Sequence, residues 1–102
     1  MDAEKSADDA IAIGHDAARR RRARFRAWHR GIREMDLMLG PYADAHVDGL
    51  DEAGLDRFEH LMEEIDTDLL KWVVGQEEPP PHIDKELLGR IIAFRHATAR
   101  SP

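Results

Sequence analysis

The sequence predicts an all-α protein, a small five-helix bundle with a disordered acidic N-terminal tail. No stretch alternates apolar and polar residues over the length of a strand, and turn signals recur at the spacing of short helices. The chain has 102 residues, 42% hydrophobic and 35% charged, with no cysteine. That length suits one domain with one modest core, and leaves little room for a deep cofactor cavity. No internal repeat is visible, so a bundle is expected and not a solenoid.

Residues 1–16 hold Asp2, Glu4, Asp8, Asp9 and Asp16 against Lys5 alone. They lack the apolar run of an export signal and the arginines of a transit peptide, and are read as a disordered tail ahead of a helical domain over 17–99. A first helix is expected over Ala17 to Arg30. Its apolar stripe of Phe25, Trp28 and Ile32 begins only in the second half, which leaves the arginine-rich first half solvated. Gly31 lets the chain turn. A second helix carries Ile32, Met35, Met38, Leu39, Tyr42 and Ala43 on one face, with Pro41 expected to kink or split it. Asp51 is the expected cap of a third helix, with Leu55, Phe58, Leu61, Met62 and Ile65 inward. Asp66 is the expected cap of a fourth, with Leu69, Leu70, Trp72 and Val73 inward and Gly75 as its stop. After the extended connector Glu77-Glu78-Pro79-Pro80-Pro81, Asp84 opens a last helix with Leu87, Leu88, Ile91, Ile92 and Phe94.

Charge is unevenly placed. Residues 17–33 contain eight arginines and no acid, whereas residues 34–86 contain sixteen acids against Arg57, Lys71 and Lys85. Such a separation orients a charged partner, but the net charge of −6 argues against a dedicated nucleic-acid binder. No apolar run is long enough to span a bilayer, so a soluble cytoplasmic protein is expected. The six histidines (15, 29, 46, 60, 82 and 96) are scattered, and no pair has the i, i+4 spacing of a helix-borne metal site. Ser101 is the only serine outside the tail, and there is no glycine-rich phosphate loop. No catalytic residue and no metal ligand is assigned. The weight falls on surface recognition.

One constellation stands out: Trp28-His29-Arg30-Gly31-Ile32-Arg33-Glu34-Met35-Asp36-Leu37. Each residue has an ordinary explanation at a helix junction, since Arg30 suits the negative end of one helix and Glu34 and Asp36 the positive first turn of the next. Yet Arg30 and Glu34 lie four apart with Arg33 between. A helical turn there would present two guanidinium groups and a carboxylate close together, as a recognition surface.

The run Arg30-Gly31-Ile32-Arg33-Glu34 resembles the RGxxE motif of the FAD assembly factors of succinate dehydrogenase, and its flanks look like the bacterial branch of that family. The likeness extends to Tyr42-Ala43-Asp44, Phe58, Leu61, Glu63-Glu64, Asp66-Thr67-Asp68-Leu69, Trp72 and the proline connector, from near Arg22 to Phe94. Two departures are visible. Ile65 stands where many members carry proline, and Pro41 where a basic residue is commoner.

The resemblance implies a helical assembly factor, not an enzyme, that binds the flavoprotein subunit of succinate dehydrogenase, and often that of fumarate reductase. Such a factor promotes covalent attachment of FAD, with the bond forming between the flavin 8α-methyl carbon and a histidine of the flavoprotein. It implies a partner-binding set of Trp28, His29, Arg30, Gly31, Arg33, Glu34 and Asp36. Of these, Arg30, Gly31 and Glu34 face the flavoprotein near its flavin pocket, and Asp36 supports the turn. No cofactor is expected to be held tightly by this chain, which acts on FAD held by its partner. A monomer is expected, with no membrane insertion and no nucleic acid. The rival reading is an arginine-rich helical nucleic-acid-binding module built on Arg19 to Arg26 with Phe25 and Trp28 interleaved.

Overall fold

A computed structural model describes residues 16–99. Within them lie five α-helices and no strand: α1 over residues 16–28, α2 over Arg33–His46, α3 over Glu52–Met62, α4 over Asp66–Val73 and α5 over Lys85–Ala99, with a 3-10 turn at Val47–Gly49 after α2. The tail expected over 1–16 falls outside the described residues except for Asp16. That residue is already helical and pairs with Arg20 one turn on, at 2.8 Å.

Helix α2 is the axis of the bundle, packing against α4 and α5. Met35, Met38, Leu39, Tyr42 and Ala43 are buried on its inner face as their spacing predicts. Pro41 neither splits it nor ends it. Proline removes one backbone donor, and the five buried neighbours hold the helix together across that gap. Against this face lie Leu55, Phe58, Leu61 and Met62 of α3, Leu69 and Trp72 of α4, and Leu87, Leu88 and Ile91 of α5.

Three of the helix ends follow the expected local chemistry, and a fourth does not. Asp51 accepts from Gly54 N at 2.7 Å and Asp84 accepts from Leu87 N at 3.0 Å, so both act as the expected N-caps. Gly75, at φ 77°, closes α4 in a Schellman motif, with Gln76 N donating to Lys71 O and Gly75 N to Trp72 O. Asp66 is the exception. The N-cap of α4 is Ile65, with no side-chain cap bond, and Asp66 is the first helical residue with its carboxylate engaged elsewhere.

Two expectations about inward faces are corrected. Ile65 is 66% exposed, because α3 ends at Met62 and the chain is extended where Ile65 sits, out of helical register with the buried stripe. In α1 the inward residues are Ala23 and Ala27, whereas Phe25 is 61% exposed. Small side chains four apart let α1 lie close against the bundle, and no large apolar residue shares that face.

Candidate functional site

The described helix α1 stops at Trp28, two residues before the predicted Arg30, and residues 29–32 form a tight turn into α2. The turn is pinned from both sides by carboxylates. Asp36, in the first turn of α2, accepts from Arg30 N at 2.6 Å. Asp66 accepts from Arg30 Nε at 2.6 Å through one oxygen and from Gly31 N through the other.

Arg30 itself turns inward. Its guanidinium donates to Met62 O at 2.7 Å and to Glu64 O at 2.8 Å as well as to Asp66, and its side chain is only 8% exposed against 15% for Asp66. Met62 and Glu64 lie at the C-terminal end of α3, where carbonyls lack helical partners and carry the negative end of the helix dipole. Arg30 is therefore the charged cap of α3, joined by charge-assisted bonds. This corrects the expectation that Arg30, Arg33 and Glu34 present their charges together. Arg30 is not on the helical turn with Glu34, and the carbonyls and carboxylate at the α3–α4 corner draw its side chain the other way.

Gly31 eases a close approach. A Cβ there would lie 3.3 Å from Asp66 Oδ2, and the backbone is not left-handed, so the glycine serves proximity and not an unusual φ. Arg33 and Glu34 follow as the first two residues of α2, both exposed, and neither has a hydrogen-bond or ion-pair partner among the described residues.

Trp28 and His29 flank the turn on its other side. The Trp28 indole lies against Gly40 of α2, where a Cβ would come within 2.6 Å of Cε3, and its Nε1 donates to Asp44 at 3.1 Å. The His29 ring stacks on Phe25 with centroids 3.9 Å apart, and its Nδ1 lies 2.7 Å from Phe25 O. Asp66, Gly40 and Asp44 were not singled out as site residues from sequence. A glycine inside an otherwise apolar helical stretch is the signal that would have found Gly40, since it marks a close approach.

The arginines of α1 are mostly engaged within the fold, against the expectation of a solvated half-helix. Arg19 binds Glu59 at 2.7 Å and also Asp56. Arg20 donates to the carbonyls of Val47 and Leu50, and Arg24 pairs with Asp48 at 2.6 Å. Hydrogen bonding from Arg19 holds the Glu59 carboxyl below its ordinary range. The acid-rich segment is thus the internal counter-charge of the basic helix, and Arg21 and Arg22 remain exposed.

Among the described residues, no group of three or more histidines and carboxylates is placed to hold a metal, and no helix is long and apolar enough to cross a membrane. The arrangement offers recognition: a pinned turn presenting Arg33 and Glu34 side by side, with no partner for either among the described residues.

The sequence profile of the family described as "Flavinator of succinate dehydrogenase" matches residues 21–95, which include the turn and all its clamps. The chain belongs to this family. A protein of Acetobacter pasteurianus named FAD assembly factor SdhE is 34% identical over 89 residues, covering 85% of this chain and 82% of that one. The protein of the same name from Legionella pneumophila (strain Lens) is 38% identical over 65 residues, covering 64% and 76%. A mitochondrial succinate dehydrogenase assembly factor 2 of Arabidopsis thaliana is 34% identical over 73 residues, covering 69% of this chain and 39% of its own length. These relatives are named as assembly factors and not as enzymes. In this flavinator-family chain the region shared with the profile is the helical body itself, from the outer arginines of α1 to Arg95 in α5.

Proposed function

We propose that this chain binds the flavoprotein subunit of succinate dehydrogenase, and that of fumarate reductase where the cell makes one, and promotes covalent attachment of FAD to it. The observation that carries the reading is the pinned turn. Arg30, Asp36 and Asp66 fix the backbone of residues 30–31, while Arg33 and Glu34 stand exposed beside it without described partners. Groups left unpaired on a rigid support are what a partner can engage without first breaking an internal bond, and rigidity lowers the ordering cost of association. Membership in a family of flavinators supports the choice of partner.

The chain contributes no nucleophile and holds no flavin of its own. It acts on the partner's FAD by binding preferentially the flavoprotein arrangement in which flavin and acceptor side chain are aligned. Trp28, His29 and Gly31 border the contact, with Arg33 and Glu34 at its centre. It works as a monomer in the bacterial cytoplasm.

Glu34→Ala tests this. As a first-turn carboxylate Glu34 contributes only ~0.3 to 1 kcal/mol to the fold through the helix dipole, so helicity should persist. Losing one partner of a desolvated charged contact costs ~2 to 5 kcal/mol, more than about tenfold in affinity for the immature flavoprotein. Co-expression with the flavoprotein subunit, read as flavin fluorescence in a denaturing gel, should show reduced covalent flavin. Wild-type levels from a folded Glu34→Ala chain would refute the assignment.

A further inference from the structure

Among the described residues, Asp66 is the one group that touches the turn at both of its fixed residues from outside the α1–α2 segment. Its Oδ1 takes Arg30 Nε at 2.6 Å and its Oδ2 takes the Gly31 amide, 36 and 35 residues away in sequence. The side chain sits at the first position of α4, where the four leading amides carry the positive end of the helix dipole. An ordinary N-cap would use this carboxylate on its own helix. Here the cap position is Ile65, whose side chain has no acceptor, and the Asp66 carboxylate is given to the neighbouring turn.

Asp36 completes the vise from α2 through Arg30 N, at 2.6 Å. The backbone that leads directly into Arg33 and Glu34 is therefore held between the starts of α2 and α4. Without Asp66 the Gly31 amide would lose its acceptor, and the Arg30 side chain would keep only the neutral carbonyls of Met62 and Glu64.

We propose that Asp66 is a positioning residue of the flavoprotein-binding surface: it fixes the Arg30–Gly31 segment so that Arg33 and Glu34 are presented in one arrangement, without touching the partner itself. This rests on the function proposed above. An apparent affinity falls in proportion to the fraction of molecules whose site is correctly arranged, so loosening the turn weakens binding even though every contacting residue is retained.

The test is Asp66→Asn in the full chain. Asparagine offers one oxygen where two are used, and its NH2 group would face either Arg30 Nε or the Gly31 amide as a second donor. In the isolated protein, amide hydrogen exchange at Gly31 should accelerate by about tenfold or more while the core amides of α2 and α5 keep their protection. Affinity for the immature flavoprotein subunit should fall by about tenfold. In the Glu34→Ala background the same change should have little further effect, because there is no longer a contact to misplace.

Asp66→Glu serves if Asp66→Asn does not fold, with the same readouts, since it keeps the charge and displaces it by one methylene. Unchanged Gly31 exchange, unchanged affinity in a folded variant, or full additivity with Glu34→Ala would each overturn the role of Asp66 alone. If the wild-type chain does not bind the flavoprotein, the functional reading itself fails and the inference falls with it.

Discussion

Gly40→Ala should destabilise the protein although intrinsic propensity says the reverse. Gly40 lies inside α2, where replacing glycine by alanine stabilises a helix by ~1 kcal/mol. The Trp28 ring occupies the space the new methyl needs: a Cβ at residue 40 would lie 2.6 Å from Cε3 and closer to Cδ2 and Cε2. Carbon atoms in contact prefer ~3.5 to 4.0 Å, so the ring must withdraw by roughly 1 Å or more. Overpacking of this kind costs ~1 to 3 kcal/mol, and the Trp28 Nε1 bond to Asp44, worth at most ~1 kcal/mol at this exposed position, goes with it. The terms leave up to ~3 kcal/mol of destabilisation, centred near ~1.5, which is a central fall in Tm of roughly 6 to 12 °C for a domain of this size. Thermal unfolding followed by circular dichroism measures it. Indole emission in a Trp72→Phe background reports whether the Trp28 ring has moved into water. A rise in Tm would show that the ring does not rest on Gly40 in solution.

Ile65→Ser should separate fold from function by moving them in opposite directions. The residue is an N-cap in extended backbone (φ −72°, ψ 135°) without a capping side chain, so serine should stabilise α4 by ~0.5 to 1 kcal/mol in denaturant unfolding. Ile65 is also an exposed apolar group between Glu64 and Asp66, both bonded to Arg30, so its removal should weaken flavoprotein binding; unchanged affinity in a co-purification titration would remove it from the contact. The acid limb of stability should trace to two arginines. Side-chain bonds from Arg19 and Arg57 hold the Glu59 and Asp84 carboxyls below their ordinary values. A carboxyl whose folded pKa is depressed stabilises above its unfolded value of ~4 and loses that contribution as pH falls, so Tm should be level from pH ~8 to ~5 and drop below ~4. Arg19→Gln with Arg57→Gln should flatten that drop, and an unaltered acid limb would count against both pairs.

Period and punctuation made most of the fold legible in the sequence. The stripes of α2, α4 and α5, the caps Asp51 and Asp84 and the stop at Gly75 are local features, set by spacing and by side chains that bond within their own turn. What could not be read was set by contacts made far along the chain. Ala23 and Ala27, not Phe25 and Trp28, face the core of α1, because the partner surface decides how close a helix comes. Ile65 follows the heptad-like spacing of α3 yet lies beyond its end. Asp66 has the residue type and place of a cap, but a buried guanidinium is a stronger claimant for a carboxylate than an amide of its own helix. At the candidate site, the sequence singles out residues 28–36, and only the fold tells which of their charges have partners among the described residues.

That distinction assigns different physical work to three neighbouring positions. Arg30 is held by three oxygens of the α3–α4 corner, so it is a tie between segments and has no charge left to offer. Gly31 permits the backbone to reach the Asp66 carboxylate, and any side chain there would press on the oxygen it serves. Glu34 sits one helical turn beyond the tie, where a fixed backbone meets solvent. The three form one device only because they lie within five residues of one another. A Cβ in place of the glycine would press on the tie at 3.3 Å, and a carboxylate on an untied turn would be presented in many arrangements, only a fraction of them competent to bind. The basic helix in front follows the same logic. With Ala23 and Ala27 as its only fully buried side chains, α1 is seated chiefly by Arg19, Arg20 and Arg24 on acids and carbonyls of the bundle, so charges that look like a polyanion-binding stripe in the sequence act first as the fastening that brings the turn to its place.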